Sequence, residues 1–284
     1  MLRLFSSRTI SAGTRTKFAA PQIQQQRFFA APVMTSHFSN ENLKIKNLFD
    51  VSKLKCVVTG GGTGIGLMIT QALAANGATV YITGRRKEAL DNVVEKYAEN
   101  GNIIAVPGDI SKKEECLRLA KEIESKEPNG IHLLVNNAGI ARDDNTKLSQ
   151  SPPSDWEDAN ALSEHMLQSD PQAWLDTMQT NVVSQFFMAA ALIPALAKTN
   201  KSGYEPFPGI KYTSSIVQIT SISGIMKGSS SGQFAYAASK AAFKQQAFHI
   251  GTHVKGTGIR VNQIAPGIFP SESKYLDILA RLQI

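Results

Sequence analysis

The stretch Thr59-Gly-Gly-Gly-Thr-Gly-Ile-Gly66 constrains this chain more than any other. It follows an apolar run from Leu54 to Val58 and opens into Ile65, Met68, Ile69, Ala72 and Leu73, which are spaced like one face of a helix. A glycine-rich turn between a buried strand and a helix lets backbone N–H groups approach a pyrophosphate, and the helix dipole favours the negative charge. Glycine there permits φ > 0 and leaves room for a ligand. A glycine cluster alone is equally a tight turn. The spacing Thr-Gly-x-x-x-Gly-x-Gly, with these flanks, predicts a dinucleotide site at Gly60, Gly62, Thr63, Gly64, Ile65 and Gly66.

The rest of the chain has the rhythm such a turn requires. Apolar runs predict strands near 54–58, 78–83, 102–106, 131–135, 215–220 and 259–264. Helical periodicity predicts helices near 64–76, 87–98, 112–126, 171–198 and 236–253. That alternation predicts one α/β domain over 53–284, a Rossmann-like doubly wound parallel sheet with helices on both faces. Residues 141–170 and 199–213 are polar or rich in Gly and Pro, and are expected to be surface excursions. The acidic residues of the first are expected to be solvated rather than metal-binding.

A net charge of +7 points toward nucleic acid until it is located. Residues 1–53 hold eight basic and two acidic side chains, so the leader carries six of those seven charges and the remainder about one. The near-neutral body gives no reason to expect a nucleic-acid partner. The leader has no acidic residue before Glu41 and spaces its arginines among Leu, Phe, Ser and Ala, the composition of a mitochondrial transit peptide. Residues 1–52 are therefore expected to be a matrix-targeting and disordered leader, with Arg27-Phe28-Phe29 resembling a processing site. An unstructured basic tail is the plainer alternative. A start at Met34 would give a cytoplasmic form. The leader's apolar runs are too short for a membrane span. Cys56 and Cys116 have neither disulfide nor zinc spacing.

Four further clusters carry chemistry. At the end of the second predicted strand, Thr83-Gly84-Arg85-Arg86 lacks the carboxylate that would bind the ribose 2′-OH of NAD. Arg85, and less directly Arg86, would suit a 2′-phosphate, so NADP(H) is expected over NAD; the other reading is that the arginines solvate the next helix. Asp109, after the third strand, can accept from an adenine amine or cap the helix that follows, though Ser111 is better placed as a cap. Asn136-Asn137-Ala138-Gly139 is a polar turn that could pass under a cofactor. In Tyr236-Ala-Ala-Ser-Lys240, the phenol and the ammonium share one helix face, and the ammonium is expected to lower the phenol's pKa. Ser221 ends the fifth strand at the same sheet edge, with Ser223 as the second choice of hydroxyl. His249 and His253 have a spacing a metal could use but lack a third ligand.

Taken together, these motifs resemble the short-chain dehydrogenases/reductases from about Lys53 to Ser271, with five motifs in the family's order, the last being Pro266-Gly267. The resemblance implies that Tyr236 is the general acid/base, that Ser221 orients the substrate oxygen and that Lys240 binds the nicotinamide ribose. It implies that Asn181 holds a proton-relay water. It also implies that Asn136, Ala138, Gly139, Pro266, Gly267, Ile268 and Ser271 contact the cofactor. Gly-Ile-Phe-Pro-Ser at 267–271 looks like the 3-oxoacyl-carrier-protein reductases of rhamnolipid biosynthesis. The implied activity is NADP(H)-dependent reduction of a small-molecule ketone, with a 3-oxoacyl thioester on CoA or acyl carrier protein as the substrate guess. The family also implies a homo-oligomer. Two departures stand out. The Ser221–Tyr236 gap holds a Gly/Ser-rich stretch, and only 18 residues follow Pro266, so the family's last edge strand is expected to be missing. A chain of this kind could instead bind dinucleotide without turnover, as a binding module.

Overall fold

In the computed structural model the described residues are 40, 44–48, 50–142, 144–201, 203 and 212–269. Most of the expected leader, with Arg27–Phe29 and Met34, lies outside them, as does Ser271. The elements run α1 (Ile45–Leu48), β1 (Lys55–Thr59), α2 (Gly64–Ala75), β2 (Thr79–Thr83), α3 (Lys87–Tyr97), β3 (Ile103–Ala105), α4 (Lys113–Lys126) and β4 (Leu133–Asn136). They continue as α5 (Ala159–Leu167), α6 (Pro171–Met178), α7 (Ser184–Lys201), β5 (Ser215–Ile219), α8 (Phe234–Val254) and β6 (Arg260–Ile264). The predicted strands and helices fall on these elements to within a few residues.

All strands are parallel, in the order β3-β2-β1-β4-β5-β6. The order reverses between β1 and β4, the point where an open α/β sheet leaves a crevice beyond its strand ends. The short apolar runs become strands because both faces are covered. On one face Val57, Tyr81, Leu134 and Ile216 meet Leu119 and Ile123 of α4 and Met188, Leu192 and Leu196 of α7. On the other, Cys56, Val58, Val80, Ile82 and Ile103 meet Ala74 of α2 and Leu90 and Val93 of α3. Each Val, Leu, Ile or Met among them contributes roughly 1.5–3 kcal/mol by leaving water.

One row near the C-terminal ends of the strands is polar. Register places Thr83, Thr59, Asn136, Gln218 and Gln263 side by side on five neighbouring strands. The first four are at most 1% exposed. Single-strand periodicity does not reveal such a row, because each polar residue simply looks like a strand end.

Two departures from the expected elements matter for the site. The single helix expected at 171–198 is α6 and α7 joined by a π-helical turn, Gln179–Val183. By length and composition the run Pro171–Lys201 could cross a membrane, at a mean hydropathy of 1.5. Its apolar residues Met188, Leu192 and Leu196 are instead wholly buried against the sheet. The excursion 141–170 contains α5, and its acidic residues act partly as caps. Asp158 accepts from the N–H groups of Asn160 and Ala161, and Asp170 from those of Gln172 and Ala173.

Candidate active site

A cleft of about 1480 Å³ opens where β1, β2, β4, β5 and β6 end. That exceeds the roughly 300–1,000 Å³ of a single small-ligand pocket, so the space suits a cofactor with its substrate.

At one end, Gly60 (φ +66°) and Gly64 (φ +54°) carry backbone that only glycine adopts freely. A Cβ on Gly66 would sit 2.1 Å from the carbonyl oxygen of Gly60, so the turn closes on α2 only without a side chain there. Thr63, the N-cap of α2, makes no side-chain cap bond, which leaves the helix's first N–H groups directed at the cleft. Gly60, Gly62, Thr63 and Ile65 line the cleft, whereas Gly64 and Gly66 shape the turn. An open backbone turn at a helix N-terminus fits a pyrophosphate.

Arg85 and Arg86 line the same end, both exposed, and Arg86 is also the N-cap of α3. Asp109 lines the cleft but caps nothing: its Oδ1 accepts from the N–H of Ser111 at 3.1 Å, and the N-cap of α4 is Lys112. Neither Asp109 nor Ser111 takes the capping role open to them in the sequence.

The turn after β4 is wired from below. Thr59 Oγ1 accepts from the N–H groups of Asn137 and Ala138 at 2.9 and 3.0 Å, and the Asn137 amide donates to Thr59 O at 2.9 Å. Asn136 is wholly buried and donates to Gln185 O at 3.1 Å, while Gln185 donates to Ala138 O at 2.6 Å. Asn136 is therefore a positioning residue under the cleft and not a cofactor contact, a correction to the expectation. Ala138 and Gly139 do line the cleft. Sequence inspection missed Gln185 and gave Thr59 no bracing role. Only their polarity at buried, strand-end and helix positions could have marked them.

Asn181 is engaged with the same loop. Its Oδ1 accepts from Ile140 N–H at 2.8 Å, and its Nδ2 donates to Ile140 O at 2.8 Å and to Ser239 Oγ at 2.9 Å. Both amide protons are engaged with protein, so the side chain braces the loop after β4. The π-helical turn rotates it to that position. Gly139 lets this loop pass close by: a Cβ there would meet Asn181 Oδ1 at 3.1 Å and Lys240 Nζ at 3.5 Å.

The proton-handling groups converge at the other end. Tyr236 hydrogen-bonds with Ser221. Lys240, 4% exposed, donates from Nζ to Ile219 O at 2.9 Å and lies 5.8 Å from the Tyr236 ring centre. Burial pushes the Tyr236 phenol above its usual pKa, and the Ser221 hydrogen bond pulls it back in part. Burial lowers Lys240 to about 8. Desolvation, and not the ammonium, sets the direction of the Tyr236 shift, contrary to the expectation. Ser223 is the weaker hydroxyl: its Oγ bonds Ser230 Oγ at 3.0 Å, and its N–H donates to Ser221 Oγ at 3.1 Å, fixing that oxygen.

The Gly/Ser-rich stretch before α8 has a structural role. Ser230, Ser231 and Gly232 are consecutive left-handed residues, at φ 54°, 57° and 91°. They present carbonyls to the polar excursion: Thr146 Oγ1 donates to Gly232 O at 2.7 Å and Leu148 N–H to Ser231 O at 2.9 Å. This staple sets Ser149 and Gln150 into the cleft wall. Opposite them, Ile222 N–H donates to Pro266 O at 3.0 Å, and Ile222, Met226, Ile268 and Phe269 form an apolar shelf. Pro266, Gly267 and Ile268 reach the cleft as expected. His249 and His253 lie on the exposed side of α8, bonded to Gln245 and to backbone.

The family model described as short chain dehydrogenase matches residues 55–275. The chain belongs to the short-chain dehydrogenases/reductases. It is 40% identical over 226 residues to the short-chain dehydrogenase/reductase PhomF′ of Diaporthe leptostromiformis, covering 80% of this chain and 73% of that one. It is 32% identical over 225 residues to the rhamnolipids biosynthesis 3-oxoacyl-[acyl-carrier-protein] reductase of Pseudomonas aeruginosa, covering 78% and 75%. Among solved structures it resembles the Pseudomonas aeruginosa RhlG/NADP active-site complex, with a TM-score of 0.65 and 29% identity over 80% of this chain and 77% of that one. The family predicted from five ordered motifs is borne out, and the rhamnolipid-type reductase is among its relatives.

Proposed function

We propose that the protein is an NADP(H)-dependent reductase of ketones. The observation that carries this is the convergence of buried Tyr236, Ser221 and Lys240 at one end of a cleft whose other end is a pyrophosphate cradle flanked by Arg85 and Arg86. Relatives solved as NADP or NADPH complexes support the choice of cofactor. When bound, a reduced nicotinamide supplies hydride to a carbonyl carbon. Tyr236 holds the proton for the carbonyl oxygen, and its raised pKa keeps it protonated at neutral pH. Ser221, oriented by the N–H of Ser223, gives that oxygen a second hydrogen bond. Lys240 is anchored on Ile219 O, so its charge stays within reach of the phenol as the proton leaves. Gly60, Gly62, Thr63 and Ile65 would hold the phosphates, and Asp109 the adenine.

The finer reading is a 3-oxoacyl thioester. The apolar shelf of Ile222, Met226, Ile268 and Phe269 suits an acyl chain, and the wall of Ser149, Gln150 and Ser229–Ser231 suits a polar carrier arm. The leader, free of acidic residues before Glu41, supports delivery to the mitochondrial matrix, which N-terminal sequencing of the mature protein tests.

NADPH loss is measured across a panel of ketones, including 3-oxoacyl thioesters of rising chain length, with Tyr236→Phe alongside. Tyr236→Phe is expected to lose about 10²–10⁴ in kcat/KM while still binding NADPH. Equal turnover by the mutant sinks the Tyr236 assignment. NADPH binding with no turnover of any substrate would identify a binding module instead.

A further inference from the structure

The Gly/Ser-rich stretch between Ser221 and Tyr236 holds Ser230 and Ser231 at φ 54° and 57°, a backbone that L side chains rarely adopt, and Gly232 follows at φ 91°. Such backbone persists only where its surroundings over-determine it. Much of the restraint comes from outside the stretch. Thr146, wholly buried, donates from Oγ1 to Gly232 O at 2.7 Å, and Leu148 N–H donates to Ser231 O at 2.9 Å. From within, Gly232 N–H donates to Ser229 Oγ at 3.2 Å. The fit is close, since a Cβ on Gly232 would overlap Thr146 O.

The loop held in this way reaches the reacting hydroxyl in two steps. Ser223 Oγ donates to Ser230 Oγ at 3.0 Å, and Ser223 N–H donates to Ser221 Oγ at 3.1 Å. Ser221 in turn hydrogen-bonds with Tyr236. A serine hydroxyl has one proton and two acceptor positions, and its proton rotates to suit its neighbours. With one acceptor position taken by Ser223 N–H, the Ser221 proton is aimed by whatever holds Ser223.

We propose that Thr146 is a positioning residue for the proton-transfer pair. It keeps residues 230–232 in their left-handed form, and that loop, through Ser230 and Ser223, orients the Ser221 hydroxyl toward Tyr236. The proposal rests on the reading of this cleft as a ketone reductase. Ser149 and Gln150 stand in the cleft wall on the same segment as Thr146. The excursion that meets the substrate therefore also supports the hydroxyl that binds the substrate's oxygen, and it does so through hydrogen bonds that preorganise the site.

Thr146→Val keeps the buried shape and removes the donor, while Gly232 O retains Phe234 N–H as a partner at 3.1 Å. With NADPH and the ketone turned over fastest, kcat should fall about 10- to 100-fold, the cost of a slightly misplaced reacting group. KM and calorimetric NADPH affinity should stay within about threefold. Thr146→Ser restores the hydroxyl and should recover most of kcat. Ser230→Ala cuts the same route at a half-buried site, so it tests the proposal even if Thr146→Val fails to fold. The double variant should be no slower than the slower single one. A second readout needs no turnover. The Ser221 hydrogen bond lowers the Tyr236 pKa, so loosening it moves phenol ionisation to higher pH. Ultraviolet difference titration, with Tyr236→Phe as the blank, should show that shift in Thr146→Val and Ser230→Ala and not in Thr146→Ser. Lys240, whose Nζ lies 5.8 Å from the ring centre, stays in place throughout. An unmoved phenol in Thr146→Val overturns the proposal, as does an unchanged kcat with a raised KM, which would leave Thr146 in the substrate wall alone. Additive losses in the double variant overturn the route through Ser230. If the wild type reduces no ketone, the reductase reading falls, and the phenol titration still decides whether Thr146 orients Ser221.

Discussion

The two ends of the cleft are built to different standards. At the cradle end, β1 and β2 are buried over four consecutive residues each, and the turn after β4 is held by Thr59, Asn137 and Gln185. At the substrate end, β6 alternates exposed and half-buried residues, and Ile268 is 78% exposed. Backbone that must meet a fixed, charged cofactor is over-determined by hydrogen bonds and by close approach. The wall that meets a variable substrate is set by a few apolar side chains and one staple. Chemistry is preorganised where desolvation is deep, and selectivity is left to a surface that small changes can re-shape.

The largest expected break of this contrast is Gly66→Ala. Its Cβ would overlap a backbone oxygen at 2.1 Å, so the turn must shift. We expect NADPH affinity to fall by about 10- to 100-fold, since overpacking of this kind costs roughly 1–3 kcal/mol. Calorimetric titration measures it, and unchanged affinity would show that the turn does not hold the cofactor.

Next in size is a pH effect at the far end of the same well-packed half. His132 Nδ1 accepts from Lys55 N–H at 3.0 Å, and burial, with the Lys55 charge adding to it, lowers its pKa from 6.5 to about 4. The unfolded chain therefore binds more protons between those values. Stability is full above pH 6.5 and declines as pH falls toward 4, by about 1 kcal/mol once solvent screening of the half-exposed ring is allowed for. Urea unfolding across that range should show the decline, and His132→Gln should flatten it. An unaltered slope in the mutant would assign the acid sensitivity elsewhere.

An effect of similar size and opposite sign is expected from the polar row. Gln218 is wholly buried, and both of its side-chain polar atoms lack a protein partner. Gln218→Leu removes that desolvation cost and should stabilise the protein by about 1 kcal/mol. Destabilisation instead would mean that buried water satisfies the row. The smallest effect sharpens the substrate side. Ile268→Ser should raise KM for long-chain substrates a few-fold, about 1 kcal/mol, with kcat and NADPH affinity little changed. A large loss of kcat would place Ile268 with the reacting groups.

Much of this was legible along the chain. The strand runs, the glycine turn and Tyr236/Lys240 could be read because each is a local pattern, either an apolar period or a fixed spacing on one helix face. Asp109, Asn136 and Asn181 could not be resolved the same way. For each of them the sequence leaves capping, bracing and ligand contact equally open, and only the neighbours decide. Ser221 and Ser223 show the same limit at two residues' distance: one hydroxyl reaches Tyr236, and the other is engaged by Ser230, which a left-handed backbone brings back toward it.

By itself, then, the sequence determined a parallel α/β sheet, the turn that cradles a dinucleotide and the side chains able to move a proton. These depend on periodicity and on glycine's missing Cβ, which are properties of short stretches. Tertiary structure alone decided the rest. It aligned Thr83, Thr59, Asn136, Gln218 and Gln263 in one row, turned Asn181 inward on a π-helical turn, and clamped Thr146 to Gly232. Hydrogen bonds between residues far apart in the chain, and the depth of burial that raises Tyr236 and lowers Lys240, exist only once the strands are side by side.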